Sequence, residues 1–112
     1  MDPDLTPISD RVAEMCARAE RFSDGPGLLE EIESVLCDGY AEALAGDAWS
    51  ARTERRMQEL IVAIPAPGAA RELRGLSRRH GDFQVRLVLL RRRLVALRAE
   101  FDRLARDAAH AA

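Results

Sequence analysis

Lysine and asparagine are missing from this 112-residue chain, so all 17 of its basic side chains are arginines. Aromatic residues make up only 4% of it. The five rings, Phe22, Tyr40, Trp49, Phe83 and Phe101, are too few for a β-sandwich core or a base-stacking platform. Cysteine occurs twice, as Cys16 and Cys37, without a CxxC pair, which excludes a disulfide framework and a thiolate metal site. The two histidines, His80 and His110, lie far apart and outside any HExxH or ExxH spacing, so no metal is expected. No Gly-rich phosphate loop and no nucleophile–base pattern is present, so neither cofactor nor enzymatic activity is expected. No apolar run approaches the ~20 residues of a membrane span. The acidic opening Met1-Asp2-Pro3-Asp4 lacks the basic and apolar regions of a secretion signal, and the expected location is cytoplasmic.

What remains is helix-forming material. Alanine and leucine fill 33 positions and 47% of the chain is apolar, too much for a disordered segment. Two turn clusters, residues 23–27 (Ser-Asp-Gly-Pro-Gly) and 65–68 (Pro-Ala-Pro-Gly), stop helices because proline lacks a donor and glycine leaves the helical region freely. They divide one expected domain, 1–112, into helices over about 7–22, 28–64 and 69–109. Thr6 before Pro7 reads as the N-cap of the first. Its apolar face is Ile8, Val12, Met15, Ala19 and Phe22.

The second and third segments each carry apolar or small residues at unbroken intervals of 3 or 4. One seam runs Leu29, Ile32, Leu36, Gly39, Ala43, Gly46, Ser50, Thr53, Met57, Leu60, Ile64. The other runs Leu73, Leu76, His80, Phe83, Leu87, Leu90, Leu94, Leu97, Phe101, Leu104, Ala108. Such spacing is that of a coiled coil. The short turn forces an antiparallel pairing in which position numbers sum to about 133, so small residues of one seam meet large ones of the other. The fold class expected is all-α: an antiparallel helical hairpin with a shorter third helix packed at one end. A bare two-helix stalk is then expected over residues 46–86.

Charge is unevenly ordered. Residues 1–47 hold three arginines against twelve acids, and residues 69–112 hold eleven arginines against five. The antiparallel model puts Glu30, Glu31, Glu33, Asp38 and Glu42 within range of Arg91, Arg92, Arg93, Arg98 and Arg103. Arg52, Arg55, Arg56, Arg71, Arg74, Arg78 and Arg79 gather near the turn with fewer acids, a candidate site for an acidic partner or nucleic acid.

Three further features point to contacts. Val85, Val88, Leu89, Val95 and Ala96 form a second apolar stripe that a two-helix stalk does not need, so self-association as a homodimer is expected. Tyr40 and Trp49 flank the seam as candidate anchors for a protein partner, Trp49 being equally placed to be covered by Leu5 and Ile8 of the N-terminal arm. His80 is expected opposite Thr53 as a polar layer that fixes register. Cys16 and Cys37 are expected at nearly the same level of their two helices. The leading reading is a non-enzymatic helical interaction module, a scaffold, adaptor or small chaperone. A nucleic-acid-associated regulator using the arginine tip is the alternative, and a small all-helical enzyme the third.

Overall fold

The computed structural model describes residues 2–21 and 27–111 and contains three helices with no strand among them. They are α1 (Thr6–Arg21), α2 (Leu28–Ala63) and α3 (Ala69–Ala111). The molecule is a rod of 68 × 18 × 16 Å. Phe22 and most of the first turn cluster, residues 22–26, lie outside the described residues.

α1 begins slightly ahead of the expected cap. The Asp4 carboxylate accepts a hydrogen bond from the Thr6 backbone N–H at 3.1 Å, and the Leu5 carbonyl accepts one from Ser9 at 2.9 Å. Asp4 therefore does the capping assigned to Thr6, and Pro7 sits in the first turn, where its missing donor costs nothing. Ile8, Val12, Met15 and Ala19 are all buried, as their spacing requires.

α2 and α3 close the hairpin. Ala63 and Ala66 carbonyls accept the Ala66 and Ala69 N–H groups at 2.7 and 3.2 Å. Gly68 completes the turn at φ +82, a left-handed conformation that a side chain disfavours. The two seams meet in the expected register. A Cβ placed on Gly39 would stand 2.5 Å from Leu94 Cδ2, and one on Gly46 would stand 3.2 Å from Leu87 Cδ1. These glycines are the reason the helices approach so closely. Seam positions at the extreme ends, Ile64 and Ala108, are exposed because the facing helix has ended.

α1 lies along one side of the hairpin. Its ion pairs Arg11–Asp38 (2.8 Å) and Arg18–Glu31 (2.9 Å) show that it runs antiparallel to α2. Arg93 donates to the Ser9 hydroxyl at 2.8 Å and Arg103 to the Ala19 carbonyl at 3.1 Å, so α1 runs parallel to α3. The cross-hairpin pairs expected between Glu30–Glu42 and Arg91–Arg103 are corrected by this placement. Asp38 and Glu31 are taken by α1, Arg93 and Arg103 turn to α1, and Arg91 pairs instead with Asp47. All these pairs are at least partly exposed, and each is worth on the order of 0–1 kcal/mol.

The three-helix core extends about a turn further than the expected boundary at residue 46. Leu5, ahead of α1, is 1% exposed and shares one apolar cluster with Trp49 and Phe83. Beyond it, only two helices remain.

Candidate interaction surface

The hairpin has two broad sides, and α1 covers one of them. A Cβ on Gly39 would also meet Val12 at 3.5 Å, so that groove is filled. The opposite groove is open. It is lined by Tyr40, Ala43 and Leu44 of α2 and by Arg91, Leu94 and Val95 of α3, and it holds a volume of about 460 Å³. Leu44 is 68% exposed and Val95 70%. Val88, Leu89 and Val85 continue the apolar surface along α3, with a second shallow depression between them and Gln84 and Arg92. Ala96 is exposed as well. The expected stripe thus lies on the outside of the rod, and Tyr40 joins it across the groove. Leu44 was not singled out in the sequence, although it stands one helical turn from Tyr40 and so shares its face.

Trp49 does not belong to this surface. It is 8% exposed, with its ring centroid 4.6 Å from that of Phe83 and stacked 6.4 Å from His80. Its expected role as a partner anchor is corrected: the ring lies on the side covered by the N-terminal arm and is spent on the core.

His80 supplies a polar layer, one turn away from its expected opposite Thr53. Its Nε2 lies 2.9 Å from the Ser50 hydroxyl, 3.2 Å from the Gln84 amide and 3.3 Å from a Glu54 carboxylate oxygen. Gln84 also donates to Ser50. Every buried polar side-chain atom among the described residues has a partner. Histidine, serine and a carboxylate together invite comparison with a hydrolytic triad. In a triad, however, the acid orients the ring through one nitrogen while the other faces serine. Here Ser50 and Glu54 share Nε2, and Ser50 is 6% exposed, so no nucleophile is presented.

The tip arginines are exposed and dispersed. Arg56 is held by both oxygens of Glu72 at 3.0 Å and by Glu59 at 3.2 Å, and these hydrogen bonds, Glu72 first, raise its pKa. Arg52, Arg55, Arg71, Arg74, Arg78 and Arg79 make no ion pair among the described residues. At about 100° per residue, Arg71, Arg74 and Arg78 share the outer face of α3, turned away from α2. The cations ring the rod instead of converging on one patch.

Cys16 and Cys37 are both free, and they do not converge. The α1–α2 ion pairs set residue 16 opposite about residue 33, leaving Cys37 a turn away and exposed. Cys16 is half-buried, with its sulfur 3.9 Å from Glu20. Burial pushes its thiol pKa up, and the Glu20 and Glu100 carboxylates push it further. Among the described residues no cluster of three metal-ligating side chains occurs, and no helix is long and apolar enough to cross a membrane.

Compared with protein-family models, with curated proteins and with solved structures, the chain matches none of them.

Proposed function

We propose that this chain is a non-enzymatic helical interaction module that self-associates as a homodimer and acts as a scaffold or adaptor. One observation carries the reading: the groove opposite α1 is uncovered and mostly apolar, with Tyr40, Leu44 and Val95 exposed around it, Val88 exposed nearby on α3, and the Arg91–Asp47 ion pair as its charged element. A helix packed between two others is buried on most of its circumference. Here the same hairpin receives a helix on one side and none on the other. Exposed apolar surface of this kind costs free energy in water, roughly 25 cal/mol per Å², which association recovers. Sedimentation equilibrium of the wild type and of a Val88→Asp, Val95→Asp variant tests the reading. The wild type is expected to sediment as a dimer and the variant as a monomer of unchanged helicity. Equal masses for the two overturn it.

A second reading has its own observation, the six tip arginines that make no ion pair among the described residues. It assigns the tip to a polyanion such as duplex DNA, bound with a steep salt dependence. The scatter of these cations around the rod favours it less than the groove favours self-association. Titration of labelled duplex DNA at low and moderate salt decides it. Binding lost in an Arg74→Glu, Arg78→Glu variant supports the reading, and no binding at low salt ends it.

A further inference from the structure

The end of the rod at the α2–α3 turn is apolar, and arginines surround it. We infer that this tip docks end-on at an anionic lipid surface, with Ile61, Val62 and Ile64 sunk into the headgroup layer and the arginines behind them on the lipid phosphates. The inference is independent of self-association, which uses the middle of the rod.

Residues 60–70 carry no polar side chain. An apolar run of about this length is characteristic of a buried core segment or of one that enters an interface. Here it is not core. Residues 61–68 are all exposed, Val62 at 84% and Ile61 and Ile64 at about half. The three-helix core stops at Trp49 and Phe83, roughly 20 Å short of the turn, so α1 does not reach this end. The backbone suits a poorly hydrated layer as well. The N–H groups of Ile64, Ala66 and Ala69 are bound within the turn at 3.1, 2.7 and 3.2 Å, and Pro65 and Pro67 have none. Little of the turn's backbone must therefore be stripped of water without a partner.

Charge selects the kind of surface. Residues 55–78 hold five arginines against two acids, Glu59 and Glu72, and both acids are engaged by Arg56. Arg55, Arg71, Arg74 and Arg78 are exposed and make no ion pair among the described residues. In the hairpin register Arg71 stands level with Val62, Arg74 about one turn behind it, and Arg55 and Arg78 a further turn back. All four thus lie within about 14 Å of the end of α2. Side chains of α3 tilt toward its N-terminus, which is the tip, and an arginine stem reaches past apolar surface to place its charge at the headgroups.

These cations ring the rod, an arrangement that a duplex lying along one side does not use. A plane across the end of the rod meets all of them, and it also takes in the apolar end, which a duplex leaves in water. Both features favour a lipid surface over nucleic acid. No helix among the described residues is long and apolar enough to cross a membrane, and the contact is confined to the interface, where apolar side chains sink about 5–10 Å.

Flotation with phosphatidylcholine vesicles containing about one-third phosphatidylglycerol, beside vesicles of phosphatidylcholine alone, tests the docking. The wild type is expected to bind the anionic vesicles at least about tenfold more tightly than the neutral ones. Ile61→Glu with Val62→Glu, and separately Arg71→Glu with Arg74→Glu, are each expected to weaken binding about tenfold or more. Helicity should be unchanged, because all four side chains are exposed. A polarity-sensitive dye on Val62→Cys, in a Cys16→Ala, Cys37→Ser background, is expected to shift to the blue on the anionic vesicles. The same dye on the native Cys37, in a Cys16→Ala background, is exposed about 40 Å from the turn and is expected not to shift. Absence of binding to the anionic vesicles overturns the inference. An equal shift at both sites means that the rod lies flat, and overturns the end-on geometry. Binding kept in full by the Ile61, Val62 variant, with no shift at residue 62, overturns insertion and returns the tip to a purely electrostatic role. A monomeric wild type that still binds with the shift at residue 62 alone supports the inference and ends only self-association.

Discussion

Around Gly39 and Leu94 three helices meet, and the side chains there are almost all apolar and fully buried; toward Arg56 and Glu72 two helices meet, and the same seam turns polar, through buried Ser50 and Thr53 and partly exposed Met57 and His80. The spacing of 3 and 4 is identical in the two regions. The difference is the number of helices available to cover it. Where α1 is present, the seam and its flank are buried together. Where it is absent, only the seam itself is covered, and Ile61 and Val62 remain 58% and 84% exposed. A seam is enough to hold a hairpin in register, but a core needs a third element.

Substitutions sharpen the contrast. Leu94→Ala should cost about 2–5 kcal/mol in chemical denaturation, since Leu94 is 1% exposed and fills the space over Gly39. Leu76→Ala, in the half-buried tip seam, should cost less than half as much. Equal losses would mean that the tip packs as tightly as the three-helix end. Glycine changes should differ in sign. Gly39→Val drives atoms into Leu94 and should cost about 1–3 kcal/mol. Removing the Ser50 hydroxyl with Ser50→Ala should cost about 1 kcal/mol, by leaving Gln84 and His80 one partner short. Gly75→Ala and Gly81→Ala meet nothing within 4 Å and should each raise stability by about 0.5–1 kcal/mol, read as a higher Tm.

The smallest effect is kinetic. Cys37 is exposed and should react first with an alkylating reagent. Cys16 holds its proton to higher pH through burial and its two neighbouring carboxylates, so its labelling should rise only above the ordinary thiol range. Mass mapping of the two sites against pH checks the order, and earlier labelling of Cys16 would show that its packing against the core does not shield it.

How much of this was legible in the sequence follows from the kind of information each feature needs. The α2–α3 pairing was legible down to Gly39 opposite Leu94, because ten intervals on each helix and one short turn leave little freedom. Position along a helix is local information. The side on which α1 lies is not, and every expectation that depended on it shifted. Arg93 and Arg103 turned to α1, Asp38 and Glu31 found arginines of α1, and Trp49 was covered by the N-terminal arm. The capping side chain is that of Asp4 and not of Thr6 because two good capping residues stand two positions apart, and spacing alone does not choose between them. The apolar stripe on α3 was visible because it had no use within a two-helix hairpin. Its continuation through Leu44 required knowing which groove α1 leaves open.

The groove that α1 leaves open is the feature on which the functional reading stands, and the mass of the wild-type protein in solution tests it most directly. A rod 68 Å long elutes early from a sizing column whatever its stoichiometry, so the mass should come from multi-angle light scattering. Twice the chain mass of 12.4 kDa at micromolar concentration is the expected result. A mass of 12.4 kDa persisting at high micromolar concentration would show that the open face stays bare, and would contradict the proposed function.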